Sequence, residues 1–278
     1  IDQPDCCDID PITDTTCGIK AKEGATLSGT ILIPSTFTKD GKTYTVTEIC
    51  EEGFSGCDQI VSVSMPSTIT KINDLAFKNC TNISDLQLPF HVEGGLEIGS
   101  NFIMNVMNLR ELLLTGCVTK LDVEFLNNNH SVETITVTYT NQNFAGVNGC
   151  LYSYDKSTLI AVPPEYNKTS GGTAQTFVVP SSVSRIAQSA FFNNSTIAEL
   201  YIPSSVTYIG PVAFRRMSGI TDIYIYGAPE LDQVYGKPTG YYKDHTHTVH
   251  CTSGSVQDWE EQILFTEGQE HIFLDSFI

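Results

Sequence analysis

A block of apolar residues returns along this chain with a step of 23. Pro66 to Ile72 leads to Ala76, Phe77, Lys78, Asn79 and Cys80, then to Ile83, Leu86, Leu88 and Pro89. The block recurs from Pro180 to Ile186, with Ala190, Phe191, Ile197, Leu200, Ile202 and Pro203. It follows at once with Val206, Ile209, Ala213, Phe214, Ile220, Ile223 and Ile225. A fixed period of this size is the mark of a solenoid, because each unit buries its apolar face only against the next copy. Solenoids present extended surfaces for binding rather than enclosed reaction chambers.

The period can be stated as a rule. From an apolar start, residues 5, 11, 14 and 16 positions later must also be apolar. Ile49, Ile72, Ile98, Leu121, Ile186 and Ile209 open six such coils, and all 30 slots are filled by apolar side chains. At 41% hydrophobic composition, chance would fill about 12 of them, and neither helical nor strand periodicity repeats at this interval. Three residues before each start stand Val46, Ile69, Gly95, Val118, Val183 and Val206, with Gly95 the one misfit.

Within a coil, Leu86, Gln87 and Leu88 read as a short strand. Successive strands would stack about 4.8 Å apart in a parallel sheet. Alternation turns Leu86 and Leu88 inward and Asp85 and Gln87 outward. Pro89 and Pro203 end their strands, since proline has no N–H for the ladder. The Phe77 side of the coil is expected to be irregular or briefly helical.

Residues 1–26 form an acidic, aperiodic N-terminal segment or cap, and 27–227 the solenoid. Within it, 23 residues separate coils one and two and 26 separate two and three, which implies a bulge near His91 to Gly95. Near 139–176 the array is interrupted. There Leu151 to Tyr154 and Leu159 to Pro163, joined by Asp155 to Thr158, read as a β-hairpin that extends from the solenoid. Thr169 to Thr173 reads as a loop. The period is lost over 228–278. That segment is read as a C-terminal cap with a short helix from Ser255, sharing Trp259 and Ile263 on one face.

The formal net charge is −17, with 15 Lys+Arg against 32 Asp+Glu. This argues against nucleic acid and anionic membranes as partners, because both demand basic patches. No stretch approaches the roughly 20 apolar residues that span a bilayer. The chain opens at Ile1 rather than Met, so a leader that was removed or was never part of this chain is expected, and export with it. Of the nine cysteines, Cys57 and Cys80 share a repeat slot and read as small buried apolar residues. Cys6, Cys7 and Cys17 lie in the leader, where a short disulfide is reasonable for a secreted chain.

Several motifs in order resemble the BspA-like leucine-rich repeat proteins of bacterial surfaces. They are Gly41 to Val46 before a coil, Ala76-Phe77 with Cys80, and the apolar-x-apolar-Pro runs at 86–89 and 200–203. Asn148 to Tyr152 with Leu159 to Pro164 in the hairpin, and Ser255, Val256 and Trp259 near the end, belong to the same set. The likeness covers roughly residues 27–265 and departs where Phe gives way to Ile103 and Leu126. It implies a β-rich α/β solenoid: a leucine-rich repeat array of about six coils with a stacked parallel sheet, one inserted β-hairpin and a C-terminal cap. It further implies export to the medium or cell surface, a curved shape, and roles in adhesion or in host and ligand binding. It implies no shared catalytic site and no cofactor.

The outward strand positions are the candidate binding surface. One row runs Ser62, Asp85, Glu111, Thr134, Glu199 and Asp222. Its neighbour runs Ser64, Gln87, Leu113, Thr136, Tyr201 and Tyr224, with Tyr226 at the strand end. Tyr201, Tyr224 and Tyr226 would serve as amphipathic anchors beside Glu199 and Asp222, although tyrosine also favours strands on its own account. His245, His247 and Cys251 share parity and form a weak zinc candidate, against a plain polar strand. No phosphate-cradling loop, metalloprotease helix or nucleophile elbow is present. The expected function is therefore non-catalytic recognition of a protein or glycan ligand. Its rivals are a glycan-acting enzyme, which needs converging acids and bases, and an architectural spacer. The ligand, the mode of attachment, the disulfide pairing and the oligomeric state are not written in the residues.

Overall fold

A computed structural model describes residues 6–168, 174–227, 229–231, 247–251 and 271–274. The chain divides into two compact units between Ala145 and Gly146. Each is a stack of coils, and each coil contributes strands to two separate parallel ladders. The apolar rule marks the core. Of its 30 slots only Leu121 and Val137 are not buried, and both lie in coil four, the last coil of the first unit.

In the first unit one ladder runs Thr16–Ala21, Lys42–Ile49, Lys71–Ile72, Leu96–Ile98 and Val118–Leu121. Its register places Ile19 beside Ile49, Ile49 beside Ile72, Ile72 beside Ile98, and Ile98 beside Leu121. The start slots therefore form a column of their own. This second ladder is invisible in the alternation of the Leu86 strand, because its strands are only two to four residues long after coil one. The leader closes its end. Cys7–Pro11 pairs antiparallel with Thr16–Ala21, burying Ile9 and Ile19. Cys6, Cys7 and Cys17 are free thiols, so no disulfide ties this hairpin. Main-chain pairing holds it, with exposed ion pairs of 2.6 Å from Lys20 to Asp10 and from Lys39 to Asp8, each worth at most about 1 kcal/mol.

The misfit at Gly95 resolves by one residue. Leu96, fully buried, stands opposite Val118, and a bulge follows at Thr119. Gly95 sits at φ 91°, and a Cβ there would run into the Thr119 side chain. The slot is filled from the next position, and glycine is what the close approach permits.

The face ladder of the first unit is split. Gly29–Leu32, Ile60–Ser64 and Asp85–Gln87 form one sheet, and Glu111–Leu114 with Thr134–Val137 another. The expected continuous row from Asp85 to Glu111 is thus broken. The break falls at the 26-residue step, where the additional turn at Glu93 and Gly94 precedes coil three.

In the second unit the hairpin strands Cys150–Ser153 and Thr158–Ala161 do not stand out from the array. Leu159 pairs with Ile186, and Ile186 with Ile209, so the hairpin is the first rung of a parallel ladder. Cys150, Leu151, Tyr152 and Leu159 are buried accordingly. The face ladder runs Gln175–Val178, Ile197–Ile202, Asp222–Ile225, His247–Cys251 and His271–Leu274. The last two strands extend the parallel register beyond Gly227, where the sequence period fades: Ile223 pairs Val249, and Val249 pairs Phe273. The loop 169–173 and the helix expected from Ser255 lie outside the described residues.

Among the described residues there is no helix. The side bearing the Phe slot is a run of turns. Left-handed residues stand three and seven positions after most starts. They are Leu75 and Asn79, Asn101 and Asn105, Ser189 and Asn193, and Val212 and Arg216, with φ between 49° and 62°. A helix cannot pass through two such residues. N–H groups on this side bond to the next coil instead: those of the left-handed Leu75 and Asn79 to Ser100 O and Met104 O, and that of Phe77 between them to Phe102 O, at 2.8–3.0 Å. The aromatic slots stack along each unit's own coils. Phe54 stacks on Phe77 at 5.6 Å in the first unit, and Phe191 meets Phe214 at 5.5 Å in the second.

Candidate functional site

The outward positions of the face ladders carry the candidate residues, and each unit presents its own set. In the first unit Asp85 is exposed and already engaged. Ser62 Oγ donates to its Oδ2 at 2.9 Å and Gln87 Nε2 donates to the same atom at 2.6 Å. Glu111 Oε1 accepts from Thr136 Oγ1 at 2.6 Å. These acids are knitted to neighbouring hydroxyl and amide groups, and Asp85 and Glu111 are not brought together in one sheet. The strands of this face carry no aromatic side chain.

The second unit differs. Strands Ile197–Ile202 and Asp222–Ile225 pair Glu199 with Asp222 and Tyr201 with Tyr224. Leu200, Ile202, Ile223 and Ile225 point into the core, so the alternation sends the two acids and the two tyrosines outward. The tyrosine rings lie parallel, 4.4 Å between centroids and 9° between planes. Burial pushes the Tyr224 hydroxyl above its ordinary pKa, helped by the negative charge of Asp222 and by Tyr201 and Glu199. Tyr226 follows on the same parity and is 45% exposed.

One rung was missed from the sequence. Gln175–Val178 precedes the tyrosine strands and pairs Thr176 with Glu199 and Val178 with Tyr201. Thr176 Oγ1 donates to Glu199 Oε2 at 3.0 Å, and Val178 is 63% exposed. The signal was present, since Phe177, Val179 and Pro180 repeat the apolar-x-apolar-Pro pattern of Leu86, Leu88 and Pro89. It was hidden because a hairpin, not a full coil, stands before it.

Of the weak metal candidate, His245 lies outside the described residues, and His247 and Cys251 bound a strand of which the backbone register is described. Among the described residues no group of three metal-ligating side chains gathers, and no helix is long and apolar enough to cross a membrane. The described thiols are poor nucleophiles where they are perturbed. Burial raises Cys7 to about 11, and Cys50 and Cys80 to about 12.

Stacked coils with this spacing have a family counterpart. The sequence profile of the BspA type leucine rich repeat region matches in six copies over residues 36–155 and 169–233. The chain belongs to the BspA-type leucine-rich repeat family. This BspA-type chain is similar to a leucine-rich repeat protein from Eubacterium ventriosum. The identity is 19%, with 80% of this chain and 73% of that one covered and a TM-score of 0.50. It is also similar to the pneumococcal vaccine antigen PcpA, at 16% identity, with 96% of each chain covered and a TM-score of 0.50. At such identities these likenesses establish the fold. No curated protein is significantly similar to it in sequence.

Proposed function

We propose that this BspA-type chain is a secreted or cell-surface binding protein. On this reading it recognises a protein or glycan ligand through an exposed sheet face, in adhesion or host recognition, and performs no chemistry. The observation that carries the reading is the stacked Tyr201–Tyr224 pair flanked by Glu199 and Asp222. Two rigid aromatic side chains with polar tips, ordered on a flat sheet, supply contact area at little entropic cost, which is the composition of interface hot spots. The family membership supports export. Against catalysis stand the engaged acids of the first unit and thiols held protonated by burial.

The test is a binding screen of extracellular-matrix proteins and glycans, run beside a panel of glycan substrates. A captured ligand should lose at least about tenfold in affinity with Tyr201→Ala/Tyr224→Ala, since hot-spot truncations cost about 2 kcal/mol or more. Undiminished capture would remove the tyrosine face from the reading. Turnover of a glycan would make the chain an enzyme, and silence in both arms would leave a spacer.

A further inference from the structure

The same face of the second unit has a charge pattern that selects among partners. None of its five rungs, Gln175–Val178, Ile197–Ile202, Asp222–Ile225, His247–Cys251 and His271–Leu274, contains Lys or Arg, although the last two contain histidines. Glu199 and Asp222 are register neighbours, about 4.8 Å apart along the ladder. Like charges placed directly opposite each other disfavour the pairing of strands, and a cation brought to the pair relieves that repulsion. The tyrosines stand in the adjacent column, one position over on each rung.

The opposite ladder of this unit shows how a guanidinium behaves at such a rung. Arg185 and Tyr208 are register neighbours, and the Arg185 guanidinium carbon lies 3.8 Å from the centroid of the Tyr208 ring. A planar cation beside a tyrosine at ladder spacing is thus a contact this scaffold already makes. Arginine is better suited than lysine, because its flat fork can accept a carboxylate on one side and lie against a ring on the other. The chain as a whole, at −17, adds a long-range field that draws basic partners in.

We propose that the Glu199–Asp222 and Tyr201–Tyr224 face docks an arginine-rich segment of a partner protein. The guanidinium groups pair with the two carboxylates and pack against the tyrosine rings. This rests on the reading of the chain as a binding protein and names the class of partner for that site. The first unit's face makes a poorer match, since Asp85 and Glu111 lie in separate sheets and the strands that carry them bear no aromatic side chain.

The test uses the whole chain and a fluorescein-labelled peptide of alternating glycine and arginine, with lysine, serine and glutamate versions as comparators. Fluorescence anisotropy is read at low and at physiological ionic strength. The arginine peptide should bind, the lysine peptide more weakly, and the other two not at all. Tyr201→Ala/Tyr224→Ala and Glu199→Gln/Asp222→Asn should each weaken binding by about tenfold or more. Asp85→Asn/Glu111→Gln, which removes the same charge from the first unit, should change it less than about twofold. All these side chains are partly or fully exposed, and an unchanged thermal midpoint certifies that each variant folds. No binding of the arginine peptide overturns the proposal, as does equal loss in both charge variants, which would report net charge alone. Capture of a neutral glycan that is sensitive to the tyrosine variant but not to the carboxylate variant also overturns it. That last outcome would leave the reading as a binding protein standing, whereas failure of every ligand in the wider screen would remove both.

Discussion

Three residues after each Phe slot stand Cys57, Cys80, Val106, Asn129, Asn194 and Met217, and the polar ones reveal what that position does. Cys80 Sγ donates to the Phe54 carbonyl at 2.9 Å, one coil back, while Ile83 N–H closes the turn on the Cys80 carbonyl. Asn194 does both jobs with its side chain. Its amide donates to Pro163 O at 2.8 Å, and its oxygen accepts from Thr196 and Ile197 N–H at 3.2 and 2.9 Å. Asn129 repeats the arrangement with Ile103 and Val106 as acceptors and Ser131 and Val132 as donors. Both asparagines are fully buried. Asn194→Ala should therefore destabilise the fold by about 3 kcal/mol, because it strands buried main-chain groups without partners. Asn194→Cys should cost less, since a thiol there can donate as Cys80 does. Urea unfolding of the two variants gives the comparison, and equal losses would contradict it. The repeat makes the slot visible in the sequence. It does not reveal that the thiol and amide occupants serve the same main-chain groups by different bonds, while Val106 supplies none from its side chain.

At the scale of the element, the turn side explains why no helix forms where one was allowed. The seventh position after the start reads Gly56, Asn79, Asn105, Asn128, Asn193 and Arg216, and every one has positive φ. Glycine and asparagine tolerate that conformation better than other residues, so their recurrence was a legible signal of left-handed turns. Asn79 is exposed at φ 59°. Asn79→Val should lower stability by about 1–2 kcal/mol, the penalty for a branched side chain in the left-handed region. Asn79→Gly should stay within about 0.5 kcal/mol of the parent. Chemical denaturation midpoints decide between them. A harmless valine would mean that the turn relaxes out of the left-handed region, and with it the bond from Asn79 N–H to Met104.

For the molecule as a whole, the buried thiols set a limit on the alkaline side. Cys7, Cys50 and Cys80 rise from the ordinary 9.0 to about 11 and 12, chiefly through burial, and burial also raises Cys17, Cys57 and Cys150. Below pH 9 the thiols are protonated in folded and unfolded chain alike, so they leave stability unchanged. Above it the unfolded chain releases protons that the folded chain retains, and stability falls as pH climbs from about 9 towards 12. Lys20, whose pKa is raised by its bond to Asp10, works in the same direction, because its protonated form is the one the fold favours. Urea midpoints across this range should decline steadily. A flat profile would contradict the burial of the thiols.

The sequence alone determined the coil length, the apolar columns of six coils and the parity of the outward rows. A coil has no core of its own and must match its neighbour slot for slot, so the chemistry of each slot repeats and can be read. The tertiary structure decided the rest. It set the second ladder through Ile49 and Ile72, the shift from Gly95 to Leu96, and the break between Asp85 and Glu111. It also showed the rungs beyond Gly227 and the stacking of Tyr201 on Tyr224. These depend on hydrogen bonds between main-chain atoms more than twenty residues apart, and on the exact spacing of strands. The main chain is the same whichever side chain it carries, so such pairings leave little trace in the residues.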